Sequence, residues 1–283
     1  MRWWLPIVLL AAAVTPGFAG PAPWFSRVLV TNDDGIDDPR LGALARAFAE
    51  VAEVVVVAPA ENCSGSTSYC SVFRTDTLSA SPCDLGPDIA AWSVDGFPGD
   101  CIVLALWGLL SDDPPDLVVS GVNSGPNLAD AWIASGTIGA ARVAAHAGIP
   151  AIAFSGLDKH DSDMMEAVPR WCVSLAASPA VRDLGDDHYL SVNFPRVAKD
   201  EIAGVRWAGV GRRFYHGNFD PQPRQTDGSR KWAYSWYIDD DPQPADSDVS
   251  LYRSGYITVT PLRASEHDAA PGRTVAILPG WRP

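Results

Sequence analysis

Short apolar runs alternate with helical patterns along the first half of the chain. Residues 28–31 are four apolar or β-branched positions in a row, and residues 54–57 are four consecutive valines. Runs of this kind are typical of strands covered on both faces in a parallel sheet. Apolar positions at helical spacing fill residues 41–51 between the two runs. The pattern therefore predicts a strand–helix–strand unit, which forms a right-handed crossover.

The same alternation continues along the chain and weakens beyond Gly156. Two helical patterns and two buried strands follow the first unit, at 101–110, 116–120, 134–148 and 149–154. One further helix and three further strands are predicted at 165–177, 189–194, 205–210 and 255–260. Strands that alternate with helices are typical of an α/β fold with a largely parallel sheet. At 283 residues, the chain can bury one large core with at most a small second unit.

Two stretches depart from this alternation. Residues 69–77 and 90–94 alternate polar and apolar positions, which predicts a hairpin extending away from the main sheet. Residues 211–247 are rich in Arg, Asp, Pro and aromatic residues without a clear period. Four aromatic residues there fit either a substrate-stacking surface or an aromatic core under a long excursion, and the second is the more common arrangement. The four are Trp232, Tyr234, Trp236 and Tyr237.

Residues 1–19 have the pattern of a secretory signal peptide. Arg2 precedes an apolar run at 3–14 that is too short to span a bilayer, and small residues follow that run. We predict cleavage after Ala19, with cleavage after Ala22 as the second choice. An uncleaved anchor is the alternative, and two prolines and a glycine disfavour it by shortening the usable helix. The mature protein is therefore predicted to be periplasmic or secreted, with no membrane contact after cleavage.

The net charge of −13 bears on the partners of the protein. A chain this acidic should repel long nucleic acids, so no polymeric nucleic acid is expected to bind. A small phosphate ester remains a compatible ligand where a metal ion screens the acidic groups locally. Most of the acidic residues are explained by solubility alone.

Five cysteines are present, and an oxidising compartment would permit disulfides. Pairing of Cys70 with either Cys63 or Cys83 stays open, because geometry decides it. Cys101 and Cys172 lie in apolar helical patterns and are predicted to be buried thiols. No Cys or His spacing in the sequence suggests zinc.

Two adjacent carboxylates, Asp33 and Asp34, directly follow the first predicted strand. The carboxyl end of a strand in an open α/β sheet is where ligands bind. Adjacent carboxylates repel each other, and a bound cation removes that repulsion at the lowest cost. The sequence therefore predicts a cation site at this edge of the sheet.

Two further strands end in loops of small oxygen donors. Residues 61–66 follow the second strand, and residues 120–127 follow the strand at 116–120. Each loop alone would be read as an ordinary turn. Together with the carboxylates after the first strand, however, three strand ends converge with oxygen donors, and this convergence favours a ligand site. Ser135-Gly136-Thr137 then enters a helix, where free N–H groups and the helix dipole suit a phosphate. A plain helix N-cap is the alternative there and is the more common one.

These loops resemble, in order, the motifs of the SurE family of metal-dependent 5′-nucleotidases that act as acid phosphatases. The resemblance covers nearly the whole mature chain, and the ordered set of motifs is highly specific. The matching segments are VTNDDGI at 30–36, APAENCSGS at 58–66, SVDGFPGDC at 93–101, VVSGVNSGPN at 118–127, ASGTIGAA at 134–141, GIPAIAFS at 148–155, SVNFP at 191–195 and GYITVTPL at 255–262.

The resemblance implies a fold, an activity and an assembly. The fold would be a three-layer α/β/α Rossmann-like domain over 20–283, in which about 205–283 includes a small C-terminal β extension used in assembly. The activity would be hydrolysis of nucleoside 5′-monophosphates, with 3′-monophosphates as further candidate substrates. The assembly would be a homodimer or a homotetramer.

The resemblance also implies site residues, carried over position by position. One divalent Mg, Mn or Ca ion per subunit would be bound by four oxygen donors, which suit such hard cations. Asp33 and Asp34 would be catalytic, with Asp33 handling the nucleophile; direct attack by its carboxylate is an open alternative. The metal ligands would be Asp33, Asp34, Ser64 and Asn123, and the phosphate would be bound by Asn127, Ser135, Gly136 and Thr137.

The chain departs from the family pattern at three places. Ala134 stands where the family usually has Tyr, Phe97 stands where it usually has Thr, and residues 263–267 replace a polar stretch with an Asp. None of these changes removes a proposed ligand. They bear on base recognition and substrate preference more than on the reaction.

Three rival functions fit parts of the same pattern. A nucleoside hydrolase also begins with a strand and an Asp-rich calcium loop, as at 32–38, but the later loops would then be unexplained. An aspartyl-phosphate phosphatase needs Asp-x-Asp, which Asp33-Asp34 is not. A secreted nucleotide-binding protein without turnover would have no need of the complete ligand set.

Overall fold

A computed structural model describes residues 22–185, 187–212, 215–238 and 242–265, without the side chains of Tyr215, Trp236 and Ile238. The predicted signal peptide at 1–19 lies outside these residues. Within them, no helix is long and apolar enough to cross a membrane.

In the described part of the chain, nine strands form one mixed sheet, and two more form a separate antiparallel ribbon. The order across the large sheet is β3-β4-β2-β1-β5-β6-β7-β11-β8, and the ribbon pairs β9 with β10. The strands are β1 (Arg27–Thr31), β2 (Glu53–Pro59), β3 (Ala80–Cys83), β4 (Ile89–Val94), β5 (Leu117–Asn123), β6 (Ala151–Ser155), β7 (His188–Asn193), β8 (Gly204–Trp207), β9 (Tyr215–Pro221), β10 (Trp232–Ile238) and β11 (Tyr256–Arg263).

Helices cover both faces of the large sheet, so the fold has three α/β/α layers, as predicted. One apolar core lies beneath α1 and α4, and the other lies beneath α2 and α3. A π-helical turn, Ala105–Leu109, continues α2 and completes the predicted helix at 101–110. The helices are α1 (Pro39–Ala49), α2 (Pro98–Leu104), α3 (Gly136–His146), α4 (Ser162–Ala176), α5 (Pro179–Arg182) and α6 (Asp248–Arg253).

The chain changes direction across the sheet between β1 and β5. From β1 it proceeds through β2 to β4 on one side, and it then returns to pair β5 with the other side of β1. All of these pairings are parallel, so the strands end at the same edge. Ligands of open α/β sheets bind outside such a switch point. The predicted cation loop follows β1 at this place.

The predicted hairpin at 69–77 and 90–94 is wrong in its first strand and in its position. Residues 71–73 form a 3₁₀ turn, and the strand that forms the antiparallel hairpin with β4 is β3. β4 in turn pairs with β2, so the hairpin belongs to the main sheet. The turn is held by Asp100, whose carboxylate accepts hydrogen bonds from Ser71 Oγ at 2.8 Å and from the Val72 N–H at 3.1 Å.

The aromatic stretch at 232–237 forms a surface strand, so the expected aromatic core is wrong for the side chains that are described. Trp232, Tyr234 and Tyr237 of β10 are 51%, 57% and 49% exposed. Tyr234 packs against Phe219 of β9, with ring centroids 4.9 Å apart, and Phe219 is itself 67% exposed.

All five cysteines are described, and all are free thiols, so neither candidate disulfide forms. Cys101 and Cys172 are fully buried, as predicted. The other three thiols face separate groups: the Cys63 thiol donates to Gly96 O at 3.6 Å, the Cys70 thiol donates to Ser68 O at 3.6 Å, and Cys83 packs against the core beneath α1.

Candidate active site

The turn after β1 presents two carboxylates at the switch point. The Asn32 side chain closes this turn, because its Nδ2 donates to Gly35 O at 2.9 Å and its Oδ1 accepts from Gly35 N at 3.3 Å. Gly35 has φ +106°, a conformation that side-chain-bearing residues rarely adopt. Asp33 and Asp34 lie between these two residues and are therefore held at the tip of the strand.

Asp33 is nearly fully buried and joins β1 to the start of α3. Its Oδ1 accepts a hydrogen bond from Thr137 Oγ1 at 2.5 Å, and the backbone N–H groups of Gly136 and Thr137 face the same carboxylate. Burial raises the pKa of Asp33, and the hydrogen bonds from Thr137 and Gly136 oppose that shift. Gly136 has no room for a side chain, since a Cβ there would lie 2.7 Å from Asp33 Cβ.

Asp34 has two different oxygens. Oδ1 lies 3.3 Å from Nη2 of Arg40, whereas Oδ2 is buried and makes no hydrogen bond within the described part of the chain. Burial raises the pKa of Asp34 to about 6, with Arg40 opposing the shift and Asp33 adding to it. A buried carboxylate oxygen without a donor is costly unless a cation binds it.

The loop after β2 lies against both Asp33 and α3. Cys63 N donates to Asp33 O at 2.8 Å, and Thr67 N donates to Ala134 O at 2.9 Å. Ser64, a predicted metal ligand, is exposed beside this contact. Ser66, which sequence reasoning missed, has a buried hydroxyl without a hydrogen bond among the described residues. A Cβ on Gly136 would lie 2.8 Å from Ser66 Oγ and 2.9 Å from Asp33 Oδ2, so this hydroxyl borders Asp33.

The loop after β5 contributes two asparagines. Asn123 uses its Nδ2 to donate to Gly125 O at 2.9 Å, which leaves its Oδ1 as the atom suited to a cation. Asn127 is fixed by two residues that sequence reasoning did not assign: Asn193 Oδ1 accepts from its N–H at 2.6 Å, and Ser155 Oγ accepts from its Nδ2 at 2.8 Å. Asn193 Nδ2 also donates to Asn127 O at 3.2 Å.

Ser135 and Thr137 have structural partners at the start of α3. Ser135 is the N-cap, and its hydroxyl accepts from Ile138 N at 3.1 Å. The Thr137 hydroxyl is engaged with Asp33. The first N–H groups are engaged as well, since those of Gly136 and Thr137 face Asp33 and that of Ile138 donates to Ser135. What this helix end offers an anion is therefore mainly its positive dipole.

The donor set suits a hard cation. Among residues 22–265, where described, no group of three or more His, Cys, Asp or Glu side chains could bind a metal. A metal here would depend on two carboxylates together with hydroxyl and amide oxygens, the chemistry that Mg, Mn and Ca prefer. The partnerless Asp34 Oδ2 fits such a group.

The fold and these side chains define a class: a three-layer α/β protein with two carboxylates and further oxygen donors gathered at its topological switch point. The chain belongs to the SurE family. The model of that family, "Survival protein SurE", matches residues 28–217.

Several relatives are similar to most of the chain. The 5′-nucleotidase SurE of Trichormus variabilis is 35% identical over 246 residues, which cover 84% of this chain and 92% of the relative. The 5′-nucleotidase SurE of Desulfatibacillum aliphaticivorans is 38% identical over 247 residues, which cover 85% and 93%. The crystal structure of the SurE protein from Aquifex aeolicus superimposes with a TM-score of 0.70 at 31% identity, covering 86% of this chain and 95% of that one.

Proposed function

We propose that this protein is a metal-dependent phosphomonoesterase that hydrolyses nucleoside 5′-monophosphates to nucleoside and phosphate. Membership of the SurE family supports a nucleotidase or phosphatase activity. The observation that carries the finer proposal is the meeting of Asp33 and Asp34 with the start of α3 at the switch point. A cation site and an anion site side by side are what a phosphate ester requires.

Four residues would hold the metal: Asp33, Asp34, Ser64 and Asn123. A bound Mg, Mn or Ca ion would supply charge neutralisation of the phosphoryl oxygens and a more acidic water. The partnerless Oδ2 of Asp34 and the Oδ1 of Asn123 support this assignment.

The residues of the chain itself would orient the substrate and move the proton. The positive end of the α3 dipole, at Ser135, Gly136 and Thr137, and the side chain of Asn127 would bind the phosphate. Asp33 would accept the proton of the attacking water, with Thr137 Oγ1 holding its carboxylate in place at 2.5 Å. Direct attack by the Asp33 carboxylate is the alternative route, and it would place a covalent phosphate on that residue.

The test is product analysis with 5′-AMP, 3′-AMP and a base-free phosphate ester. We expect inorganic phosphate and adenosine from 5′-AMP. Free adenine in place of adenosine would favour the nucleoside hydrolase. Nucleotide binding without either product would favour a binding protein and would direct attention to Ala134 and Phe97.

We also propose export and self-assembly. The pattern of residues 1–19 supports cleavage after Ala19 and a periplasmic or secreted protein. N-terminal sequencing of the protein recovered outside the cytoplasm should begin at Gly20.

The exposed aromatic pair on the ribbon, Phe219 and Tyr234, supports a homodimer or homotetramer, because aromatic side chains are enriched at interfaces.

A further inference from the structure

Arg40, at the start of α1, is a buried cation that contacts a proposed metal ligand. The residue is 4% exposed, although arginine is almost never buried without partners. Its Nη2 lies 3.3 Å from Asp34 Oδ1 and 2.6 Å from Asp38 Oδ2. One guanidinium therefore joins two carboxylates beside the switch point.

The position of Arg40 is fixed from three sides. Its Nε donates to Asp38 Oδ1 at 2.8 Å, which completes a two-pronged pair with Asp38. Its Nη1 donates to Leu157 O at 3.3 Å, in the loop after β6. Asp38 is in turn the N-cap of α1 and accepts from the Arg40 N–H at 2.9 Å. The guanidinium cannot leave Asp34 without breaking these bonds.

We propose that Arg40 is a built-in counter-ion that stabilises the metal-free site and lowers the affinity of that site for the divalent ion. This inference rests on the metal dependence proposed above. Arg40 holds Asp34 through Oδ1 and leaves the partnerless Oδ2 as the atom that would bind the cation. The protein then folds with its site preformed before metal binds, and the bound ion stabilises it only moderately.

The charges around Asp34 decide whether removal of Arg40 raises or lowers the affinity of the site for a divalent ion. Asp33, Asp34 and Asp38 are opposed by the cation of Arg40, and Lys159 acts on Asp38 from the loop after β6. Without Arg40, three carboxylates would share a desolvated site, which favours an incoming divalent ion. Asp34 would keep much of its orientation, because it stays buried and the Ser124 N–H faces its carboxylate.

The experiment compares Mn²⁺ binding by calorimetry and thermal unfolding in EDTA and in Mn²⁺. Arg40→Met should unfold at a lower temperature in EDTA, show a larger rise in Tm with Mn²⁺, and bind Mn²⁺ at least about tenfold more tightly. Arg40→Lys keeps the charge and should retain the wild-type response to Mn²⁺. Arg27→Met is the matched control, since it removes a cation paired with Glu53 at 2.8 Å near the start of β1.

An Arg40→Met protein with wild-type or weaker Mn²⁺ affinity and an unchanged Tm shift would overturn the inference. If Arg40→Met does not fold even with Mn²⁺, the double variant Asp38→Asn/Arg40→Met removes the orphaned carboxylate and should still show the enlarged Mn²⁺ shift. A wild-type protein that does not bind Mn²⁺ contradicts the proposed metal dependence as well. If the wild-type protein binds Mn²⁺ and Arg40→Met responds to Mn²⁺ in the same way, only the role of Arg40 is contradicted.

Discussion

Asp33 accepts hydrogen bonds from groups on both sides of the switch point. Its structural role and its proposed catalytic role can therefore be tested separately. Its backbone oxygen accepts from Cys63 N, and its side chain accepts from Thr137 Oγ1. An asparagine keeps the shape and one oxygen acceptor but lacks the negative charge. The charge serves the proposed chemistry, whereas the shape serves the fold.

Asp33→Asn is therefore expected to lower phosphate release by about a hundredfold or more while leaving Tm near that of the wild type. Steady-state kinetics and thermal unfolding of the same preparation measure both quantities. Asp37→Asn, at an exposed position of the same loop, is the control and should keep full activity. A variant with normal Tm and a near-normal rate would refute the assignment of Asp33.

Gly136→Ala is expected to damage the site, although alanine is ordinarily the better helix former. The added Cβ would lie 2.7 Å from Asp33 Cβ and 2.9 Å from Asp33 Oδ2, so the carboxylate must move. We expect a loss of about 1–3 kcal/mol of stability together with lower kcat/KM. Gly125→Ala is the control, because nothing lies within 4 Å of its Cβ position. Equal behaviour of the two variants would contradict this close packing.

The sequence predicts residues that follow a clear strand end, and it does not predict the residues that support them. Asp33 and Asp34 could be found because a short buried strand ends directly before them. Arg40 could not, because it lies between a polar turn and the helical pattern at 41–51, where nothing in the sequence indicates a buried contact with Asp34. Ser64 is assigned only through the family resemblance, and Ser66 is not assigned, since burial of a hydroxyl within a loop leaves no periodic signal.

Two neighbouring strands, β6 and β7, support the proposed phosphate loop from below. Asn193 of β7 is fully buried and bonds both the N–H and the C=O of Asn127, as a paired strand would. Ser155 of β6 holds the side chain of the same residue. The position of Asn127 therefore depends on the register of two strands that are distant in sequence.

Asn193→Asp is expected to raise the inhibition constant of inorganic phosphate about five- to tenfold, which corresponds to about one lost hydrogen bond. One aspartate oxygen still accepts from the Asn127 N–H, but the other would face the Asn127 carbonyl. Ser191→Ala is the matched control, since Ser191 lies two residues earlier on β7 and its hydroxyl has no hydrogen bond among the described residues. An unchanged constant for Asn193→Asp would show that Asn127 does not need this support.

The central strands of the sheet can be predicted from apolar runs in the sequence, whereas the peripheral strands cannot. β1, β2 and β5 are buried on both faces, so their runs are unambiguous. β3 has the sequence ASPC with a proline at an edge position, where the usual strand signals are absent. Residues 69–77 carry the alternation of a strand, but Asp100 provides hydrogen bonds that favour a 3₁₀ turn instead.

At the scale of the whole molecule, the ribbon of β9 and β10 is the surface that we propose for self-assembly. Phe219→Ser/Tyr234→Ser is expected to reduce the oligomer to monomers, because it removes the exposed aromatic pair. Light scattering coupled to gel filtration measures the mass. Trp107→Ser, at a side chain 69% exposed on the turn after α2, is the control and should leave the mass unchanged. A monomeric wild-type protein would contradict the proposed assembly.

The most direct test of the proposed function is release of inorganic phosphate from 5′-AMP by residues 20–283, first in EDTA and then with added Mn²⁺. We expect almost no release in EDTA and recovery with Mn²⁺. The four proposed metal ligands are all oxygen donors, which suit a hard cation, and the proposed reaction requires that cation. A rate that EDTA leaves unchanged, or a protein that stays inactive with Mn²⁺ and with Mg²⁺, would contradict a metal-dependent nucleotidase.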